Sequence, residues 1–413
     1  MAKNSLGNLG LQLPDGFDRD LRILMASMAF RRISMGFLMI VRAIYFYLLG
    51  FNEVEVGLLL AIATLVSAIH HLTFGMLSDR FGRKPFLVLG GIFATLRMVI
   101  FAMFTDFWML ALGQGIGAMG EGAGAGQPVV SGYISDKTDI LDRPSVFSTL
   151  AVANALAATL GSLMAGLPNF FETSLGFDMI AAHQILFWFG ALGGLVSLLF
   201  VILLKEAKTE KVMRIASEAD AQEKPRKYTW GVIAKFSLVR STSGLGWGFI
   251  ESMMSLYFFL RFGVGGEVLG PIYAVARFLS VFSYLLVPMM IDRYGDIPTL
   301  VASRIATAVL AAAFSLTTWY PLAIVLLVAF RVLMQFTMPI RQSFATGIVD
   351  QEEIATAIGI SSFSRMSLRV LAPPIVGYLF RYVSLSLPFM IGAGLLAVNG
   401  LLYKVFFPPK NGE

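Results

Sequence analysis

Residues 75–85 read Gly75-Met76-Leu77-Ser78-Asp79-Arg80-Phe81-Gly82-Arg83-Lys84-Pro85, a turn and four charges set between two long apolar runs. A weaker copy returns as Met290-Ile291-Asp292-Arg293-Tyr294-Gly295-Asp296-Ile297-Pro298. The two aspartates are 292 − 79 = 213 positions apart in a chain of 413 residues, so the echo falls at about half the length. Pro128 and Pro339, and Asp139 and Asp350, repeat at an offset of 211. The two halves are versions of one unit. Within the stretch, Gly82 permits a tight turn and Pro85 suits the first turn of a following helix.

Composition places that unit in a membrane. The chain is 57% hydrophobic and 14% charged, with a mean hydropathy of +0.75, far from the soluble range. The 40 glycines suit helices packed through small faces. A net charge of +6 is spread over loops and spans, without the dense basic patch of a nucleic-acid binder. There is no cysteine, hence no disulfide, thiol catalysis or Cys-based metal site, and the three histidines lack metal-binding spacing. No phosphate-cradling GKS/GKT loop or Gly-x-Ser-x-Gly elbow occurs. The expectation is no enzyme, no cofactor and no metal. Residues 1–20 lack the order of a cleavable signal peptide.

Apolar run length predicts twelve membrane helices. They fall near 24–50, 54–78, 85–105, 107–134, 144–171, 180–204, 235–261, 267–291, 298–319, 321–347, 353–381 and 384–407. The charge-mixed stretch 205–234 cannot sit in hydrocarbon and reads as a linker. The organisation is then a six-helix bundle over 1–204, a linker over 205–234 and a second bundle over 235–413. One side collects Arg80, Arg83, Lys84, Lys137, Arg143, the linker cations, Arg293 and Lys404. That side is predicted to be cytoplasmic in the cell membrane, with both termini there.

These features together resemble the major facilitator superfamily over essentially the whole chain. The family's Gly-x-Leu-x-Asp-Arg-x-Gly-Arg-Lys signature is met at Gly75, Leu77, Asp79, Arg80, Gly82, Arg83 and Lys84, and its degenerate copy at Asp292 and Arg293. The resemblance implies two pseudo-symmetric six-helix bundles and a cavity lined by helices one, four, seven and ten. Helices two, five, eight and eleven flank it. It also implies that Asp79 docks on the eleventh helix as a conformational gate, with Arg80 and Arg83 pairing with carboxylates such as Asp136. The acidic run Asp350-Gln351-Glu352-Glu353 is a second candidate partner for Arg83 and Lys84. A plain topology signal is the alternative role for these cations.

Charges inside the spans point to the site. Each costs on the order of 2.5–3.5 kcal/mol at a helix centre, so most must pair or face water. The chain carries Arg31, Arg32 and Arg42 in helix one, Arg97 in three, Arg277 in eight, Arg331 in ten, and Arg365 and Arg369 in eleven. Glu121 and Glu251 lie in helices four and seven. Arg31 and Arg42, eleven apart, share a helix face with Met35, Leu38 and Met39. Arg365 and Arg369 share another, and Arg331 stacks with Gln335. Substrate contacts are expected from Arg31, Arg42, Arg277, Arg331, Arg365, Arg369 and Gln335. Subtracting the repeat offset puts Arg331 near Glu121 across the pseudo-twofold axis, with Glu251 a second carboxylate. Either these acids couple a proton to substrate binding, or they pair permanently and hold helices together. Arg97 is expected to snorkel, and His70 and His71 to pack.

Subfamily patterns are incomplete. Gln114-Gly115-Ile116-Gly117-Ala118 resembles the helix-four run of drug/proton antiporters, but Ala111 stands where their arginine is expected, and Gly161 is followed by Ser162 rather than proline. The sugar porters' Pro-Glu-Ser pattern is absent. The reading is a secondary transporter, expected to be monomeric, moving a small organic anion with protons or Na⁺. An efflux pump for amphipathic compounds is the alternative, and a transport-inactive membrane receptor or scaffold a third class.

Overall fold

A computed structural model describes residues 17–121, 128–138, 142–206, 230–347 and 354–408. Both copies of the repeated motif turn on a glycine in a conformation closed to other residues. Gly82 has φ +93 and ψ 157, and Gly295 has φ +81 and ψ 164. This region is essentially glycine-only. It ends one helix and starts the next in a single residue, in the same way in both halves.

The described residues form sixteen α-helices and no strands. The first group is α1 (Arg19–Leu48), α2 (Glu53–Phe81), α3 (Arg83–Met103), α4 (Phe107–Glu121), α5 (Pro128–Lys137), α6 (Arg143–Leu163), α7 (Leu167–Leu175) and α8 (Met179–Ile202). The second is α9 (Trp230–Glu251), α10 (Met254–Phe262), α11 (Gly266–Tyr294), α12 (Asp296–Leu316), α13 (Tyr320–Gly347), α14 (Ile354–Arg369), α15 (Ala372–Tyr382) and α16 (Leu387–Phe406). Where described, their limits lie within about five residues of the predicted stretches; residues 122–127, inside the predicted 107–134 stretch, lie outside the described residues. Some stretches are built from two helices in line, as α9 with α10 and α14 with α15. Eight helices among the described residues are long and apolar enough to cross a membrane. Residues 207–229, most of the predicted linker, lie outside the described residues, and so do Asp139 and the Asp350–Glu353 run.

Helix starts follow capping rules. Asn52 accepts from the Val54 and Glu55 amides at 3.0 and 3.2 Å, while Glu55 accepts from the Asn52 amide at 2.8 Å. This capping box satisfies orphan donors at the head of α2. Asp18 and Asp178 cap α1 and α8 similarly. Glu206, just past α8, accepts from the Arg83 amide at 2.9 Å and the Lys84 amide at 3.3 Å, placing a carboxylate at the positive end of α3. Glu206→Ala is expected to cost about 0.5–2 kcal/mol, measured as a drop in thermal midpoint in detergent.

Within the first group, α1 packs on α6 and α8, α3 on α4 and α8, and α2 on α4. Within the second, α9 packs on α14 and α16, α12 on α13 and α16, and α11 on α13. The groups meet through α2 with α14 and α15, α6 and α7 with α11, and α1 with α10 and α11. Chain direction defines a linker end, which carries residues 75–85, and an opposite end. At the opposite end the halves touch through bare backbone. Gly57 abuts the Pro373 carbonyl, Gly377 the Glu53 carbonyl, and Gly266 the Ala165 carbonyl, with no space for a Cβ. Glu53 and Arg381 pair there at 3.8 Å.

Candidate functional site

The helical path of residues 230–262 breaks at Ser252 and Met253, immediately after Glu251. The break leaves Glu251 at the last turn of α9, facing α13. Its Oε1 accepts from Arg331 Nη2 at 2.5 Å, and both side chains are largely buried. The Arg331 guanidinium also lies 3.6 Å from the centroid of the Tyr273 ring on α11. A desolvated stack of that kind contributes about 2 kcal/mol. Glu251 Oε2 is buried without a hydrogen-bond partner among the described residues, so the carboxylate holds one oxygen in reserve. One helix turn away, Trp247 on α9 stacks with Phe330 on α13 at 6.4 Å.

Arg277, one turn past Tyr273 on α11, donates to the Ala158 carbonyl on α6 at 2.5 Å, crossing from one half to the other. It lies within electrostatic reach of Arg331, Glu251 and Arg32, the last on α1. Three guanidiniums and one carboxylate therefore converge from α1, α9, α11 and α13. Gln335, half-buried, follows Arg331 by one turn on α13.

The structure changes several expectations. Among the described residues the Arg331 partner is Glu251, in its own half; the side chain of Glu121, the partner expected by symmetry, lies outside the described residues. Arg31 is buried and donates to the Gly90 carbonyl of α3 at 3.1 Å. Arg42 is half-buried on α1. The shared stripe does not hold as one surface, since Leu38 is fully buried while Met39 is exposed. Arg97 does not snorkel. It is fully buried and donates to Met35 Sδ at 2.8 Å, with its stem pressed on Gly117 of α4. Gly117→Val is expected to displace that stem and cost about 1–3 kcal/mol by overpacking, read as lowered thermal stability.

At the linker end, Arg83 Nε lies 3.4 Å from Asp136 Oδ2, and its Nη1 donates to Ser78 Oγ at 3.0 Å. Lys137 pairs with Asp20 at 2.6 Å. The side chains of Gly75, Asp79 and Arg80 lie outside the described residues. Asp292 and Arg293 in the second copy are exposed, and Arg293 stacks over Tyr294 at 5.3 Å. Arg365 and Arg369 lie half-buried on α14 against α9.

Sequence reasoning passed over Arg304 on α12, fully buried with Nη1 on Met334 Sδ at 3.3 Å. It also passed over Arg240 on α9, whose Nη2 donates to Ser362 Oγ on α14 at 3.2 Å. Both stand alone in apolar runs, which was the available signal. Among the described residues no cluster suited to a metal ion occurs.

Comparison with known proteins agrees with this architecture. An uncharacterized membrane protein of Saccharomyces cerevisiae, YJR124C, is 20% identical over 94% of this chain and 94% of its own length. The class B tetracycline resistance protein of Escherichia coli is 31% identical over 32% of this chain and 34% of its own. The solved nucleoside transporter NupG, as its D323A mutant, superposes with a TM-score of 0.73 at 14% identity. It covers 94% of this chain and all (100%) of that one. The family model for the Major Facilitator Superfamily matches residues 24–373. The chain is a multi-pass membrane transporter, not an enzyme, and belongs to the Major Facilitator Superfamily.

Proposed function

We propose that this transporter moves a small organic anion, a carboxylate-bearing metabolite in the first instance, across the cell membrane by alternating access. One observation carries the reading. Around the break at Glu251, Arg331 holds the Glu251 carboxylate and Arg277 lies within electrostatic reach of both and of Arg32, and planar guanidinium binds carboxylate bidentately. An incoming carboxylate takes the place of Glu251 on Arg331, and Glu251 released from its partner takes up a proton. That exchange couples solute to proton flow. Glu121 is a second candidate for the same proton. Residues 1–204 and 235–413 rock as two units about this site. The linker end is cytoplasmic, as the Lys and Arg bias argues, and Asp79, Arg80, Arg83, Asp136, Asp292 and Arg293 close it in the opposite state. Backbone contacts at Gly57 and Gly377 seal the end opposite the linker in the present state.

Uptake into proteoliposomes under an imposed pH gradient tests the proposal. Organic anions should accumulate in the wild type, and Glu251→Gln should abolish the dependence on the gradient. An unchanged gradient dependence in Glu251→Gln would remove it as the proton carrier. Efflux of amphipathic compounds is the second reading, supported by the match to the tetracycline resistance protein and by the Trp247–Phe330 surface. Accumulation of lipophilic cations with no movement of anions would favour it.

A further inference from the structure

The seal at the end opposite the linker has a charged cavity on its outer side. Gly377 of α15 meets the Glu53 carbonyl of α2. One turn further out on α15, the Arg381 guanidinium lies 3.8 Å from the Glu53 carboxylate. Both contacts join one half to the other, so backbone seal and ion pair share the same few residues. Beside the pair lies a cavity of about 610 Å³, lined by Tyr47, Phe51, Asn52, Glu53, Arg381 and Tyr382. That volume falls within the roughly 300–1,000 Å³ of small-molecule sites.

The pair is suited to exchange. Arg381 stands in the last turn of α15 and Glu53 in the first turn of α2. Each charge therefore faces the favourable pole of its own helix and keeps that stabilisation when the other leaves. Their separation exceeds a hydrogen bond, and the Arg381 side chain is 40% exposed; a pair this open adds little net stability. Arg381 makes no hydrogen bond among the described residues, its other contact being the Tyr382 ring at 5.5 Å. Its planar donor fork is available to a carboxylate in the cavity. A second donor stands nearby. The Asn52 side-chain oxygen is taken by the Val54 and Glu55 amides, which leaves its NH2 as the group that Asn52 can offer.

We infer that this cavity is an outer subsite for the carboxylate of a small solute, and that filling it releases the seal. This rests on the anion reading above and adds where the solute is met at the end opposite the linker. In the sealed state an incoming carboxylate competes with Glu53 for Arg381. When the halves part, Glu53 moves off with α2 and the anion keeps Arg381 alone. The anion thus binds the parted state better, and a ligand shifts a conformational balance by its differential affinity for the two states.

Spin labels at Phe177 and Trp319, exposed at that end in opposite halves, read the opening in the purified full-length protein. Lactate and its neutral amide, lactamide, are titrated at constant ionic strength. Lactate should raise the share of long distances, and lactamide should not. Arg381→Gln should raise the lactate midpoint at least tenfold, and Arg381→Lys should recover part of that loss. Glu53→Gln should lower the midpoint at least threefold by removing the competitor. A pair that merely clasps the halves gives a different pattern: both glutamine variants would lengthen the distances alike, with lactate inert in each. That pattern, an equal response to the two solutes, or no response of the wild type to lactate overturns the inference. The inner site is separated by repeating the titration in Glu251→Leu/Arg331→Met, which removes its charge pair as a unit. A lactate response kept there and lost in Arg381→Gln supports the outer subsite. A response lost there and kept in Arg381→Gln removes the subsite and leaves the transport proposal standing. An outer response without any anion flux in proteoliposomes does the reverse.

Discussion

Glu251→Ala is expected to lower stability by about 3–5 kcal/mol, because it leaves the Arg331 guanidinium buried without its counter-ion. The 2.5 Å contact and the stack on Tyr273 hold that guanidinium in place, so it cannot swing to water. Removing both charges together behaves differently. A Glu251→Leu/Arg331→Met double variant is expected to be near neutral, or stabilised by about 1–4 kcal/mol, since apolar packing commonly replaces a buried ion pair without loss. Thermal unfolding in detergent of the two singles and the double measures the coupling between the sites. Flux separates structure from function: the double variant should fold and carry nothing. A double variant that transports at the wild-type rate would make the pair mere helix glue.

A methyl group at Gly57 or Gly377 is expected to open the end opposite the linker. In this state each glycine meets a backbone carbonyl of the other half, Pro373 and Glu53 respectively, and neither carbonyl can yield without moving its helix. Overpacking of about 1–3 kcal/mol in this state only shifts the conformational balance by roughly 5- to 150-fold. The chain has no cysteine, so introduced pairs report cleanly. Spin labels at Phe177 and Trp319, both exposed at that end in opposite halves, should move apart in Gly377→Ala. A distance distribution identical to wild type would show that the seal does not set the balance.

Much of the fold was legible because run length and charge are local properties. Helix limits came within a few residues, and the two motif copies foretold two glycine turns with matching dihedrals. Partners were less legible, because they depend on which helices touch. The repeat offset relates Arg331 to Glu121 by symmetry, but symmetry is not adjacency, and it could not single out the Glu251 contact that Arg331 makes. Arg31 was placed with Arg42 by angle alone, yet a long side chain bonds what its tip meets, here the Gly90 carbonyl. The break at Ser252 lacks the proline that marks the α14–α15 break at Pro373, so no sequence rule exposed it.

The most direct test of the guanidinium site compares the uptake of one carboxylate solute with that of its carboxamide, which has nearly the same shape and no charge. Proteoliposomes with wild-type protein should concentrate the carboxylate and ignore the amide, and Arg277→Gln and Arg331→Gln should each lose carboxylate uptake by at least tenfold. Equal uptake of the two solutes, or carboxylate uptake undiminished in both variants, would contradict the account.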